Sequence, residues 1–561
     1  MAPAAFRETV TCTLADPEIV LFDFVTATSN WLSHLNEYKL CSNWYLRSFL
    51  VVPNHVAIPS GASFKAESIC CQRCTSTGRK CDGYQDPRAK QITRRKSKTA
   101  QLDGLLQMPS AWSFIGGKPM NHENFHYFVV VTAPTLTGYF NSGFWSYTLP
   151  QISYSYPALW HAITALASLH RDFLEDVAPL AITQDCRTVR VRFALQQHTR
   201  SIQSLRELIS KPCLTAHDKM AVLATCIIFI CLLSLQGSHS QAMAHVASAM
   251  VLCQQWNREF QTHSHASETI ASVILLLAQL DSQVRQIFSI QGLIVPWTTE
   301  FKLPIAEGCF TSLDEAHVSL EVNVNNRALQ LLTSGIDTSA PEALAKKEYC
   351  LQELYRWNSK LETYIAISQH ETDNTAVNVL FLRRLYAKVM LSLDPSKGEL
   401  AHDAFIDDYA QMLDLASRIL ESLNTPVTVE FDPGSRHAQQ RRFSVESTVT
   451  ETLFLIGVRC REPTIRGRAL ELMRLYPRRE GMCGTMLALK LGETLAEIEG
   501  TACQNAPPGL CSDGPWVCAD HRVTKIQCKD VSDRKVAVLM RTAGEEKRGF
   551  EGNWFVFHKT W

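Results

Sequence analysis

The 561-residue sequence predicts an all-α protein, and three observations carry that expectation. Apolar residues return at helical spacing through most of residues 121–500. Hydrophobic residues make up 46% of the chain and charged residues 20%, enough to fill a core. Runs with strand character appear only near the C-terminal end.

Residues 1–63 show no period and are assigned no fold. Residues 64–100 change character, with ten basic residues and three acidic ones. Over the whole chain the charges balance, with 55 Lys plus Arg against 55 Asp plus Glu. A protein-wide basic field is therefore excluded, and any nucleic-acid affinity rests on this one patch. Gly104, Pro109, Gly116, Gly117 and Pro119 mark a linker, so residues 88–120 are read as a basic linker.

In the helical region Pro157 suits a first helical position, and Leu159, Trp160, Ile163, Leu166 and Ala167 then share one face. Leu195, Ile202, Leu205 and Ile209 do the same in the next helix. The most apolar run, 220–235, falls short of the ~18–20 residues that span a bilayer, so it predicts a buried helix and no membrane partner. It stops at Gly237-Ser238, and a second apolar helix over 241–256 should pack antiparallel to it. Residues 501–520 read as a loop, and 534–541 with 553–558 as a small β-hairpin.

The chain has 19 cysteines, among them Cys226, Cys231 and Cys253 in apolar stretches, and no export signal at Met1–Arg7. A reducing compartment is expected, with cysteines acting as core residues or metal ligands. The sharpest local pattern is Cys71-Gln72-Arg73-Cys74, then Thr77-Gly78-Arg79-Lys80-Cys81-Asp82-Gly83-Tyr84, with C-x2-C-x6-C spacing. Thiolates spaced this way grip a zinc ion, whose tetrahedral geometry suits sulfur donors.

These residues resemble the second half of the fungal binuclear zinc cluster, in which six cysteines hold two zinc ions. The resemblance implies a zinc cofactor with Cys71, Cys74 and Cys81 as metal ligands. It also implies double-stranded DNA as partner, nuclear localisation, and regulation of genes read by RNA polymerase II, and it admits a homodimer. Arg73, Arg79, Lys80, Arg88, Lys90, Arg94, Arg95, Lys96 and Lys98 become the DNA-binding candidates, through phosphate contact. The first half of the motif does not precede Cys71, where only Cys70, Cys41 and Cys12 stand. In the family that half reads base edges, so sequence-specific binding is expected to be impaired here. Replacement of the first coding exon would account for the break.

Further matches run through the helical region. They include Phe125-His126-Tyr127-Phe128, Thr132-Ala133-Pro134, Gly138-Tyr139-Phe140, Phe144-Trp145, Leu235-Gln236-Gly237 with Ala242 and His245, Arg459-Cys460-Arg461-Glu462-Pro463 with Arg466, and Pro477-Arg478-Arg479-Glu480-Gly481. Their order is similar to that of the large helical fungal-specific regulatory domain in a branch that includes aspercryptin-type regulators of secondary-metabolite clusters. The resulting division is 1–63 unassigned, 64–87 half zinc cluster, 88–120 linker, 121–500 helical regulatory domain and 501–561 tail.

Two rival metal sets stand beside this reading. His122-Glu123-Asn124-Phe125-His126 matches H-E-x-x-H, but Pro119 places it at a helix start and no third ligand is evident. Cys511, Cys518, His521 and Cys528 form the other, with spacing that suits no common site. No G-x-S-x-G, P-loop or dinucleotide fingerprint appears, so an enzyme is not expected. The alternative function is a helical protein-interaction or ligand-sensing module without direct DNA binding.

Overall fold

A computed structural model describes residues 119–140, 143–175, 184–262, 267–291, 293–295, 297, 308–336, 340–368, 374–422, 442–504, 516–532 and 535–558. The zinc-motif cysteines and the basic DNA-binding candidates lie outside these residues. Everything described falls in one compact unit.

The first segment is α1 (Pro119–Tyr127) and α2 (Ala133–Leu136), joined by a π-helical turn over Phe128–Thr132. A second π turn, Phe144–Thr148, leads into α3 (Leu149–Ser153). Each of these π turns is followed by a proline at the second position of the next helix, Pro134 and Pro150. A proline ring has no N–H and clashes with the carbonyl four residues back, so widening the preceding turn lets the chain remain helical. The linker expected to reach residue 120 ends where α1 begins, because Pro119 itself opens the helix.

Next come α4 (Pro157–Glu175), α5 (Gln184–Ile209), α6 (Ala216–Gln236), α7 (His239–Thr262) and α8 (Ser267–Gln291). The expected proline start of α4 is found, and Leu159, Trp160, Ile163, Leu166 and Ala167 are all buried. The N-terminus of α6 is closed by a capping box between Thr215 and Asp218. It ends at Gly237, whose φ of +75° is the left-handed conformation that suits glycine. The turn is so tight that α7 starts two residues later and packs against α6 as expected. By length and composition α6 and α8 could cross a bilayer, but both are buried within the body. Cys226, Cys231 and Cys253 are buried free thiols, and burial pushes Cys253 up to about 12.

The second half contains α9 (Leu313–Val318), a π turn over Ser319–Asn325, α10 (Asn326–Leu332), α11 (Pro341–Ser368) and α12 (Thr375–Ser392). A 3-10 segment over Pro395–Phe405 leads into α13 (Ile406–Ser422). Then follow β1 (Arg442–Ser444), α14 (Val449–Arg459), α15 (Pro463–Leu475), β2 (Arg478–Glu480), β3 (Cys483–Gly484) and α16 (Thr485–Gln504). Strand β1 pairs parallel with β2, which pairs antiparallel with β3. A core of Leu354, Trp357, Leu385, Tyr409, Met412, Ile456 and Leu472 joins α11–α15.

The tail holds β4 (Val523–Ser532), β5 (Lys535–Thr542), α17 (Ala543–Lys547) and β6 (Asn553–His558). The expected hairpin is an antiparallel three-stranded sheet in the order β4-β5-β6. Sequence reading missed β4 because Lys525, Gln527, Lys529 and Asp530 break its apolar character. Its inward residues, Val523 and Ile526, join Val536, Val538 and Met540 against Leu491 and Leu495 of α16. The expected loop over 501–520 is partly helix, since α16 runs to Gln504.

Ile456 is fully buried in the shared core, whereas Lys490 is exposed. Replacing Ile456 with Ala is expected to lower unfolding free energy by ~2–5 kcal/mol. Replacing Lys490 with Ala, which removes only an exposed ion pair with Glu493, should change it by less than ~1 kcal/mol. Urea unfolding followed by circular dichroism measures both.

Candidate functional site: a buried charged junction

Charged side chains are rarely buried unless paired, and the described body buries several of them. Three clusters among them tie separate segments of the chain together.

The central cluster surrounds Arg383 of α12. Its Nε donates to Glu321 Oε1 at 2.8 Å and its Nη2 to Glu321 Oε2 at 2.9 Å, while Nη1 donates to Glu451 Oε2 at 2.8 Å. All three side chains are at most 5% exposed. Glu321 comes from the π turn before α10, where Leu320 to Asn325 are buried in succession. The widened turn helps hold Glu321, Asn323 and Asn325 inward together, and Asn325 Nδ2 donates to Glu321 Oε1 at 2.8 Å. Burial alone would raise the Glu321 pKa, but the fork of Arg383 pulls it below the ordinary value. Glu451 receives only one guanidinium N–H, and burial pushes it up.

The second cluster fixes α8 to α10. Arg285 Nε donates to Asp281 Oδ2 at 2.7 Å, and Asn326 Nδ2 donates to the same oxygen at 2.9 Å. Trp297 Nε1 donates to Asp281 Oδ1 at 2.8 Å, and Arg285 also reaches Thr333 Oγ1 and the Trp297 carbonyl.

The third cluster ties α15 and α16 to the tail. Arg461 donates to Glu399 Oε2 at 2.9 Å and to Glu499 Oε1 at 2.8 Å, and Arg466 donates to Glu499 Oε2 at 2.9 Å. The backbone N–H of Val523, at the start of β4, donates to Glu499 Oε1 at 2.9 Å. Arg522 grips Asp403 through both nitrogens, at 2.9 and 2.6 Å. Burial would raise Glu399, but Arg459 and Arg461 bring it down to about 2.

The family-like motifs named from sequence land on these contacts. Glu462 caps α15 by accepting from Ile465 N, with Pro463 at the first helical position. Arg479 donates to the Ser234 carbonyl at the end of α6. Glu480 is buried and accepts from the N–H groups of Thr448, Val449 and Thr450 at 2.8–3.0 Å, so a carboxylate sits on the α14 N-terminus. Gly481 has φ +53°, and a Cβ there would meet Gln283 Oε1 at 2.0 Å. Gln283 in turn donates to the Val445 carbonyl and accepts from Met482 N. Phe125 stacks on Trp160 at 4.2 Å, and Phe140 stacks on His317 at 3.8 Å. These motifs are packing and capping devices, and none of them assembles a reacting centre.

The rival metal sets look different in three dimensions. His122, Glu123 and His126 are exposed on α1, and Glu123 Oε1 accepts from Arg171 Nη1 at 2.7 Å. Cys518 Sγ lies 3.0 Å from His521 Nδ1, while Cys528 is exposed on β4, and Cys511 lies outside the described residues. Among the described residues no three His, Cys, Asp or Glu side chains converge on a metal position.

Among the described residues, buried ion pairs pin a helical body that also holds two small sheets. Residues 123–304 match the model of the fungal specific transcription factor domain. Over 532 aligned positions it is 22% identical to the aspercryptin biosynthesis cluster-specific transcription regulator of Emericella nidulans, covering 77% of this chain and 84% of that protein. It is 24% identical over 229 positions to a transcription regulator of Purpureocillium lilacinum, covering 39% of this chain and 52% of that protein. No solved structure matches the chain. Both relatives are named as transcription regulators.

Sequence reading named the α15 and β2 motifs but missed Asp281, Arg285, Glu321, Arg383, Glu446 and Glu451. The available signal was a charge inside an apolar run, such as Arg383, which with Arg384 and Lys388 interrupts the stretch from Val377 to Leu391. Arg383→Met should leave Glu321 and Glu451 buried without their cation, and is expected to cost ~3–5 kcal/mol in urea unfolding. A loss below ~1 kcal/mol would mean that the cluster does not hold the body together.

Proposed function

We propose that this chain is a nuclear, DNA-associated regulator of RNA polymerase II genes in a secondary-metabolite cluster, whose helical body is its principal working part. The observation that carries this reading is the similarity to the aspercryptin cluster regulator over most of both chains. The basic segment that carries the zinc-type motif supports DNA contact. Arg73, Arg79, Lys80, Arg88, Lys90, Arg94, Arg95, Lys96 and Lys98 would meet phosphates, which position a protein without reading sequence.

Zinc is the cofactor that the family implies. Cys71, Cys74 and Cys81 supply three of the six thiolates that a two-zinc cluster uses, so the donor set does not fit the binuclear site. Sequence readout is therefore expected to be weak. A helical protein-interaction or ligand-sensing module is the second reading, favoured by the extent of the described body relative to the half motif. A homodimer remains part of the proposal, through which such a chain would titrate intact partners.

Zinc content and DNA binding of the full chain test this together. The expected result is fewer than two zinc ions per chain by atomic emission. Binding to random duplex DNA should have a Kd on the order of 10⁻⁴–10⁻⁶ M and weaken steeply with salt. Two zinc ions with nanomolar binding to one sequence would overturn the impaired-readout reading. No salt-dependent DNA binding at all would favour the interaction-module reading.

A further inference from the structure

Glu446 lies just before α14 and is 5% exposed. A Cβ added at Gly138, whose φ is +69°, would sit 2.6 Å from Glu446 Oε2, so backbone closes one side of the carboxyl. Gln279 of α8 hydrogen-bonds the same carboxyl, and its Nε2 lies 3.3 Å from His317 Nε2. Since an amide nitrogen only donates, His317 must accept there as neutral imidazole. Burial holds it in that form by bringing it down to about 4. Glu446 Oε2 and Gln279 Oε1 are both buried acceptors without a hydrogen-bond donor.

The surrounding charges are unbalanced. Glu321 from the π turn, Glu451 from α14 and Glu446 share the single guanidinium of Arg383 from α12. Arg383 is already committed to Glu321 and Glu451. Glu480 from β2 adds a further carboxylate, and it is occupied by the α14 N-terminus and by Arg478 at 3.4 Å. His317 from α9 contributes no positive charge. Among the described residues no cation is paired with Glu446, the Gln279 hydrogen bond and the shared Arg383 charge offset its burial only in part, and a poorly compensated buried carboxylate is costly.

We infer that Glu446 carries a proton in the folded protein, making the junction between the first helices and the C-terminal half a proton-dependent contact. The proton turns an unpartnered acceptor into a donor and removes the surplus charge. Burial first, then the Glu321 charge, pushes this carboxyl up to about 8. The folded state then holds a proton that the unfolded chain has released above its ordinary carboxylate range. Stability therefore falls as pH rises toward 8, and the contact loosens in mildly alkaline conditions. Buried His170 and His317 work in the opposite direction at lower pH, because their folded forms stay neutral while the unfolded chain takes up protons. The interval from pH 6.5 to 7.5 lies above most of that effect.

The test compares the full chain with its Glu446→Gln variant by urea unfolding across that interval. Glutamine imitates the neutral acid. The ratio of the wild-type to the variant folding constant should therefore fall roughly five- to tenfold between pH 6.5 and 7.5. A ratio that stays constant with pH overturns the inference. So does a variant that cannot fold at pH 6.5, because a neutral side chain is what the site is inferred to hold. The wild-type profile alone is a second readout, and stability that does not decline between pH 7 and 8 also counts against it.

Discussion

The fork of Arg383 on Glu321, shared with Glu451, is the interaction on which the rest of the structure depends. It joins a π turn, a long helix and the helix that follows β1, which lie far apart in sequence. Ions this deeply buried are weak evidence of net stability, because their desolvation offsets their attraction. Their value is in register: each charge must find its partner, and only one arrangement of α12, α14 and the π turn permits it. The fixed α14 in turn presents its N-terminus to Glu480, and β2 then places Arg479 on the end of α6.

This chain of contacts explains why the body extends well past the region matched by the family model. Residues 123–304 contain α4–α8, yet Gln283 and the Ser234 carbonyl reach partners in residues 445–482. Phe443 of β1 packs near His170 and Phe173 of α4. The matched helices are thus one side of a single packed unit.

Much of the fold was legible in the sequence. The helical period named α4 to α7, Pro157 opened α4, and Gly237 closed α6. What was not legible came from long-range pairing. Strand β4 has mixed local character and is a strand because β5 lies beside it. Glu321 and Arg383 lie 62 positions apart, and only the fold brings them together. The motifs around Arg461 and Glu480 were visible as a family resemblance, and their physical work as cap, clamp and tight turn emerged only from their partners. The zinc-type cysteines carry the strongest local pattern, and they lie outside the described residues.

The buried junction should make residues 119–558 one cooperative unit. Thermal unfolding of residues 119–304 alone, beside residues 119–558, followed by circular dichroism, tests this. The longer chain is expected to unfold in a single sharp transition, and the shorter one to show helix signal without a cooperative melt. A cooperative melt of residues 119–304 alone, near the midpoint of the longer chain, would contradict it.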